Sequence, residues 1–263
     1  MLLASASYIH TPFQYDYPFK EFVSNMSELC DFVYFVVTPP DDGTYEYLLE
    51  AQKTNNKIVL IKAEWGTSDG YTRLRHFYDL LIKKMKTDGI DWIFGLDTDE
   101  IIHENDFKFI RDLIDKNDSK VYKTYRYNFC GDFNHYLAPN PPPEHFVYDD
   151  YFYRLAPLRL INGLGPHDDF EGIADCDDFK DSLKLYHYSL MRDPKIELDK
   201  AITTQQWYVN SVDLRVTRQK ETTGVFNPFD FVDKKYLNVF EGTHPKVMGQ
   251  WIKDREHFWK GVV

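Results

Sequence analysis

The sequence predicts an α/β fold with a mixed, mainly parallel central sheet flanked by helices, in a single domain. Three observations lead there. Short apolar runs rich in β-branched and aromatic residues, FVYFVV (32–37), KIVLIK (57–62) and WIFGL (92–96), read as strands buried on both faces. Apolar residues at helical spacing separate them. The strand–helix alternation persists through four strands, as right-handed crossovers in a parallel sheet require.

ASASYI (4–9) supplies the first strand, and Phe19, Phe22, Val23, Met26 and Leu29 line one face of the helix after it. FVYFVV is the second strand. TPPDDGT breaks the chain before the helix YEYLLEAQKTNN, and KIVLIK is the third strand. Leu74, Phe77, Tyr78, Leu81 and Met85 mark a helix that stops at TDG, and WIFGL follows. The helix DFKFIRDLIDKND (106–118) closes a Rossmann-like half. Beyond it the pattern changes. KVYKTYRYNF alternates as a strand, APNPPPEH is a rigid loop, and PLRLI and SLKLYHYSL are further short strands. PKIELDKAITTQQWYV opens with proline at a helix start, and HPKVMGQWIKDREHFWKG reads as a closing helix. The proline-rich loop at 139–143 is a candidate seam within one domain.

At 263 residues the chain can bury a sizeable core. Aromatic residues make up 17% of it, a content that suits stacking of flat rings or sugars beside ordinary core packing. A net charge of −11 argues against a broad nucleic-acid-binding face. Cys30, Cys130 and Cys176 form no CxxC pair and no even set, which points to a reducing compartment. The opening MLLASASYIHTPF lacks the charged and apolar regions of a signal peptide, and no apolar run is long enough to span a membrane. A soluble, cytoplasmic protein is expected.

The chemistry concentrates at DWIFGLDTDEII (91–102), where a buried strand runs straight into Asp97, Asp99 and Glu100. Carboxylates so close to a core are costly unless a cation meets them. Ligands of open α/β sheets bind beyond the carboxyl ends of the strands. Two residues apart in an extended segment, Asp97 and Asp99 leave from the same side and can address one Mg²⁺ or Mn²⁺. The spacing alone is weak, since Asp175 and Asp177 repeat it, and a solvated strand end capping a helix near 105 has the same pattern.

These residues resemble the metal-binding segment of GT-A glycosyltransferases, in particular the family 2-like group. SYIHTPFQYDYPFKEFVSNMSELCDFVYFVVTPPDDGT is similar to that group's opening strand, helix and nucleotide-binding second strand. DLLIKKMKTDGIDWIFGLDTDE is similar to the helix and strand that carry its metal motif. The resemblance implies a GT-A fold over 1–263, with a nucleotide-sugar-binding half (1–118) and an acceptor-side half with closing helices (119–263). It implies a nucleotide-sugar donor, UDP-sugar favoured, and Mn²⁺ or Mg²⁺. Asp99 would be the main metal ligand, Asp97 would lie nearer the donor's ribose or sugar, and Asp41 or Asp42 would sit by the base and ribose. Arg75 falls near an arginine of that group, though His76 follows it here, and TPPDDGT departs from the usual base-binding pattern.

RLINGLGPHDDFEG is similar to the group's His-Glu segment, which makes Asp168, and after it Asp169, the candidate base that deprotonates the acceptor hydroxyl. A polar turn after Gly163, Gly165 and Pro166 is the plainer alternative. LYHYSLMRDPKIELDK resembles a late histidine-bearing strand, with His187 completing the metal shell or serving as an ordinary strand residue. Arg192 and Lys200 are candidates for the diphosphate. The acceptor can be a glycan, lipid, protein or modified nucleic-acid base. Two rival readings stand beside an inverting transferase. One is a metal-dependent phosphoesterase or nuclease using Asp97, Asp99, His167 and His187. The other is a sugar-nucleotide-binding module without turnover.

Overall fold

The computed structural model describes residues 1–38, 42–66, 70–116, 121–137, 153–160, 177–178, 184–209 and 213–260. The first half follows the alternation in the sequence: β1 (Leu3–Ile9), α1 (Phe19–Leu29), β2 (Phe32–Val37), α2 (Thr44–Thr54), β3 (Ile58–Lys62), α3 (Gly70–Thr87) and β4 (Trp92–Gly95). Then come β5 (Glu100–Ile102), α4 (Phe107–Lys116), β6 (Val121–Cys130), β7 (Asp132–Leu137), β8 (Tyr153–Leu160), β9 (Asp177–Asp178) and β10 (Lys184–His187). The chain continues as α5 (Pro194–Val209), α6 (Leu214–Thr222), β11 (Leu237–Val239) and α7 (Gly249–Arg255).

The strands β3-β2-β1-β4 form a four-stranded parallel sheet. On the far side of β4 the sheet turns antiparallel through β8, β6, β7 and β11. Strand β6 serves two arrangements. Residues 121–125 pair with β8, whereas residues 125–128 lie parallel to β10, which in turn lies antiparallel to β5. The acidic stretch after β4 is therefore led into a small three-strand array, β5-β10-β6, within the same sheet.

Strand alternation sends the core to both faces. Ala4, Ala6, Tyr34, Val36 and Ile93 meet Phe77, Leu81, Ile82 and Met85 of α3. Leu3, Val33, Phe35 and Phe94 face the other way, into one cluster with Phe19, Phe22 and Met26 of α1 and Ile110 and Ile114 of α4. Cys30 and Cys130 are buried thiols whose pKa values desolvation pushes up to about 12, so both are inert packing groups. Cys176 lies outside the described residues.

The expected closing helix is shorter than its pattern. Lys246–Met248 and Glu256–Trp259 are 3-10 turns on either side of α7. The tighter winding seats Met248, Trp251 and Trp259 together in the core, where the Trp259 indole donates to the Met191 carbonyl at 3.2 Å. Strands β7 and β11 and helix α6 had no counterpart in the sequence reading, being short and rich in polar residues. Among the described residues no helix is long and apolar enough to cross a membrane.

Candidate active site

A cavity of about 290 Å³ opens at the carboxyl ends of β1 and β4, and Asp97, Asp99 and His187 line it. The Ser7 hydroxyl donates to the Leu96 carbonyl at 2.8 Å and fixes the end of β4 against β1. Residues 97–100 then fold as a reverse turn, not the extended segment expected. The Glu100 amide donates to the Asp97 carbonyl at 3.0 Å, and the Asp97 amide donates to the Glu100 carboxylate at 2.9 Å. The turn exists because Glu100, fully buried, reaches back to cap the amide and pairs its other oxygen with Arg126. Both aspartates still reach the cavity, Asp97 half-exposed and Asp99 only 3% exposed.

Asp99 is met by basic side chains already in the chain. Its Oδ2 lies 2.9 Å from Arg192 Nη2, and its Oδ1 lies 3.5 Å from His187 Nε2. Arg192 has no exposed surface. It also pairs with Glu197 at 3.0 Å, donates to the Tyr15 carbonyl at 3.3 Å and stacks over Tyr17 at 4.1 Å. Burial opposes the charge on Asp99, but His187, Lys200 and Arg192 outweigh it and hold its pKa far below the ordinary carboxylate range. Burial likewise works against the charge on Arg192, and Glu197, Tyr17 and Asp99 outweigh it. Arg192 thus lies beneath the cavity as the centre of a buried Asp99–Arg192–Glu197 network.

His187 sits mid-row in the small array, directly opposite Glu100 on β5 and Asn128 on β6. The Asn128 side-chain oxygen, 2.6 Å from His187 Nδ1, can only accept, so Nδ1 carries the proton. Nε2 faces Asp99 Oδ1: a proton there pairs with the carboxylate, and a ring protonated on Nδ1 alone leaves Nε2 as an electron-pair donor. Two electron-pair donors at 3.5 Å suit a shared cation. With bonds of about 2.1 Å, neighbouring ligands of one divalent ion stand roughly 3.0–3.5 Å apart. Among the described residues no three His, Cys, Asp or Glu side chains are grouped closely enough to enclose a metal. The donors present fit an ion that takes its remaining ligands from water and substrate, as Mg²⁺ commonly does.

Lys200, on α5, faces the same cavity. Its Nζ is 3.4 Å from Ser189 Oγ and 5.1 Å from the Tyr17 ring centre. Burial and the Arg192 charge lower its pKa, and Glu197, Tyr17 and Asp99 more than compensate, so it stays protonated.

Part of the cavity wall is aromatic and escaped the sequence reading. His10 and Trp65 stack at 3.9 Å with 17° between planes, and Arg73 lies over Trp65 at 4.2 Å. His10 bonds to Thr38 at 3.1 Å, and burial lowers its pKa, with the Arg73 charge acting in the same sense. The available signal was a single tryptophan in the polar loop after a buried strand. Arg75 is exposed on α3, two residues beyond the arginine that turns inward. Asp42 accepts from the Gln14 amide at 2.7 Å and the Thr44 amide at 3.3 Å, tying two loops and the start of α2 together. Asp41, His167, Asp168 and Asp169 lie outside the described residues.

Comparison with solved structures returns distant likenesses. A protein assigned as a nucleotide-diphospho-sugar transferase from Desulfovibrio desulfuricans G20 is 11% identical over 83% of this chain and 95% of its own, with a TM-score of 0.39. Residues 1–349 of S. aureus TarS are 15% identical over 88% of this chain and 72% of that one, with a TM-score of 0.44. A 4-diphosphocytidyl-2C-methyl-D-erythritol synthase is 14% identical over 66% and 82%, with a TM-score of 0.39. No protein-family model matches the sequence, and no curated protein matches it. At these identities and scores the likenesses carry no inference about activity, which rests on the cavity.

Proposed function

We propose that the chain is a GT-A-like, family 2-like glycosyltransferase that moves a sugar from a nucleotide-sugar donor to a hydroxyl acceptor with inversion. The observation that carries the reading is the cavity itself. Two aspartates and an imidazole nitrogen line it at the carboxyl ends of the parallel strands, together with a protonated lysine and an aromatic wall. That combination suits a flat base at one end and a diphosphate at the other.

The Oδ1 of Asp99 and His187 Nε2 are the atoms that would hold Mn²⁺ or Mg²⁺, with Asp97 on the same cavity lining to take a place in the shell once donor and water complete it. The ion's chemistry there would be to balance negative charge on the departing diphosphate. Lys200 answers the same charge from the other side, at no cost in proton uptake because it is already protonated. Arg192 keeps Asp99 ionised and aimed. Asp168, with Asp169 as second choice, is the base that takes the acceptor's proton. The reading places donor binding mainly in residues 1–118 and the acceptor in 119–263, with His187 and Lys200 of the second half completing the donor site. UDP-sugar is the favoured donor and a cytoplasmic location is retained, both on the resemblance in the sequence.

A thermal-shift series with UDP, GDP and CMP, each with and without Mn²⁺, tests the reading. Ligand at about 100 times its Kd stabilises the fold by about 2.7 kcal/mol, a rise in Tm of roughly 5–10 °C at this size. UDP is expected to give that rise only with Mn²⁺. No rise with any nucleotide removes the donor site from the cavity. The base assignment has its own check. Asp168→Asn is expected to bind UDP–Mn²⁺ with unchanged affinity and to lose donor turnover at least 100-fold, in line with general-base catalysis. Turnover that survives in Asp168→Asn and falls in Asp169→Asn moves the role by one residue.

A further inference from the structure

We infer that Arg126 and Asn128 on β6 are the positioning residues of the acidic turn, Arg126 setting Asp97 through Glu100 and Asn128 setting Asp99 through His187. Two parallel relays support this. In the first, Arg126 Nη2 pairs with Glu100 Oε1, and Glu100 Oε2 accepts from the Asp97 amide at 2.9 Å. In the second, Asn128 Oδ1 accepts from His187 Nδ1 at 2.6 Å, and His187 Nε2 stands 3.5 Å from Asp99 Oδ1. Arg126 and Asn128 are two apart on one strand and so share a face. Glu100, His187 and Asn128 form one row across β5, β10 and β6. The same strand therefore reaches both aspartates, each through one intermediary.

Stability does not account for the first relay. Glu100 is fully buried and Arg126 is 8% exposed. A buried ion pair of this kind is often matched or bettered by apolar side chains of the same size. What an apolar pair cannot do is accept the Asp97 amide and hold the turn closed. The second relay has a comparable logic. An imidazole without its Nδ1 partner is free to carry the proton on Nε2, where it would offer Asp99 a donor and a cation nothing.

The experiment has a readout without ligand and a readout with it, because only the second rests on the transferase reading. In the apo protein, NMR measures hydrogen exchange at the Asp97 amide in Glu100→Met/Arg126→Met, and the His187 tautomer in Asn128→Ala. Exchange at least tenfold faster at Asp97, with β1 and β2 amides unchanged, is expected, together with a shift of the proton towards Nε2. Unchanged exchange and tautomer overturn the inference. If the paired variant does not fold, Glu100→Gln decides the first relay: exchange at least threefold faster supports it, and wild-type exchange overturns it. With UDP present, Mn²⁺ affinity read from the EPR signal of the free ion is expected to fall 10–100-fold in both variants, the usual effect of losing a ligand's supporting partner. Wild-type protein that takes up no Mn²⁺ with UDP, while the apo readouts respond as stated, sinks the transferase reading and leaves the positioning role standing.

Discussion

Asp99→Ala loses about 3–5 kcal/mol of folding stability, the expected result of stripping one partner from a buried ion pair. The substitution leaves the fully buried Arg192 with Glu197 as its remaining carboxylate partner among the described residues and removes the carboxylate that faces His187 and Lys200. For a chain of this size the loss lowers Tm by roughly 6–20 °C. Arg192→Ala is expected to cost a similar amount, and the double variant less than the sum of the two, because the sites share one interaction. Urea unfolding of the three variants measures all of this. If Asp99→Ala unfolds within about 1 kcal/mol of wild type, well short of the range for a broken buried pair, Asp99 is not bound into the fold as the geometry indicates. A binding assay on Asp99→Ala therefore needs a stability control beside it.

Asp97 is the position where function separates from folding. Its side chain is half-exposed to the cavity, and the hydrogen bonds that hold the turn are made by its backbone. Asp97→Asn preserves shape and those bonds, so stability is expected to stay within about 0.5 kcal/mol of wild type. Mn²⁺-dependent UDP binding, followed by titration calorimetry, is expected to weaken at least tenfold, equivalent to about 1.4 kcal/mol. Wild-type affinity in Asp97→Asn would take away its role as a ligand and leave Asp99 and His187 to carry any metal.

The parallel half was readable because β2, β3 and β4 are largely continuous apolar runs and α1 and α3 keep apolar residues at every turn, whereas β1, interrupted by Ser5 and Ser7, is marked only by the alternation that follows it. Local pattern and final burial agree there. The acidic turn was readable only in part. That Asp97 and Asp99 would stand at a strand end follows from where WIFGL stops. That they would sit in a reverse turn does not, because its closure depends on Arg126, 26 residues beyond Glu100. Arg192 looked like a phosphate-binding cation because nothing near it in sequence marks an ion pair with a residue 93 positions earlier. The His10–Trp65 wall was missed for a similar reason. Its rings belong to loops after different strands, and neither loop alone carries a periodic signal.

The network beneath the cavity has a consequence for how the protein is made. Asp99 leaves the ribosome early, yet Arg192, Glu197 and Lys200 follow about a hundred residues later. Until they emerge, the four parallel strands can already pack while a carboxylate at their rim has only water to stabilise it. Pairings so distant along the chain are the slow part of folding, since the intervening loop must close before any of them is rewarded. The nascent protein should therefore pass through a state with its apolar layers formed and its charged floor unassembled. A ribosome stalled short of residue 192 would display a recognisable fold whose cavity still lacks its charged floor.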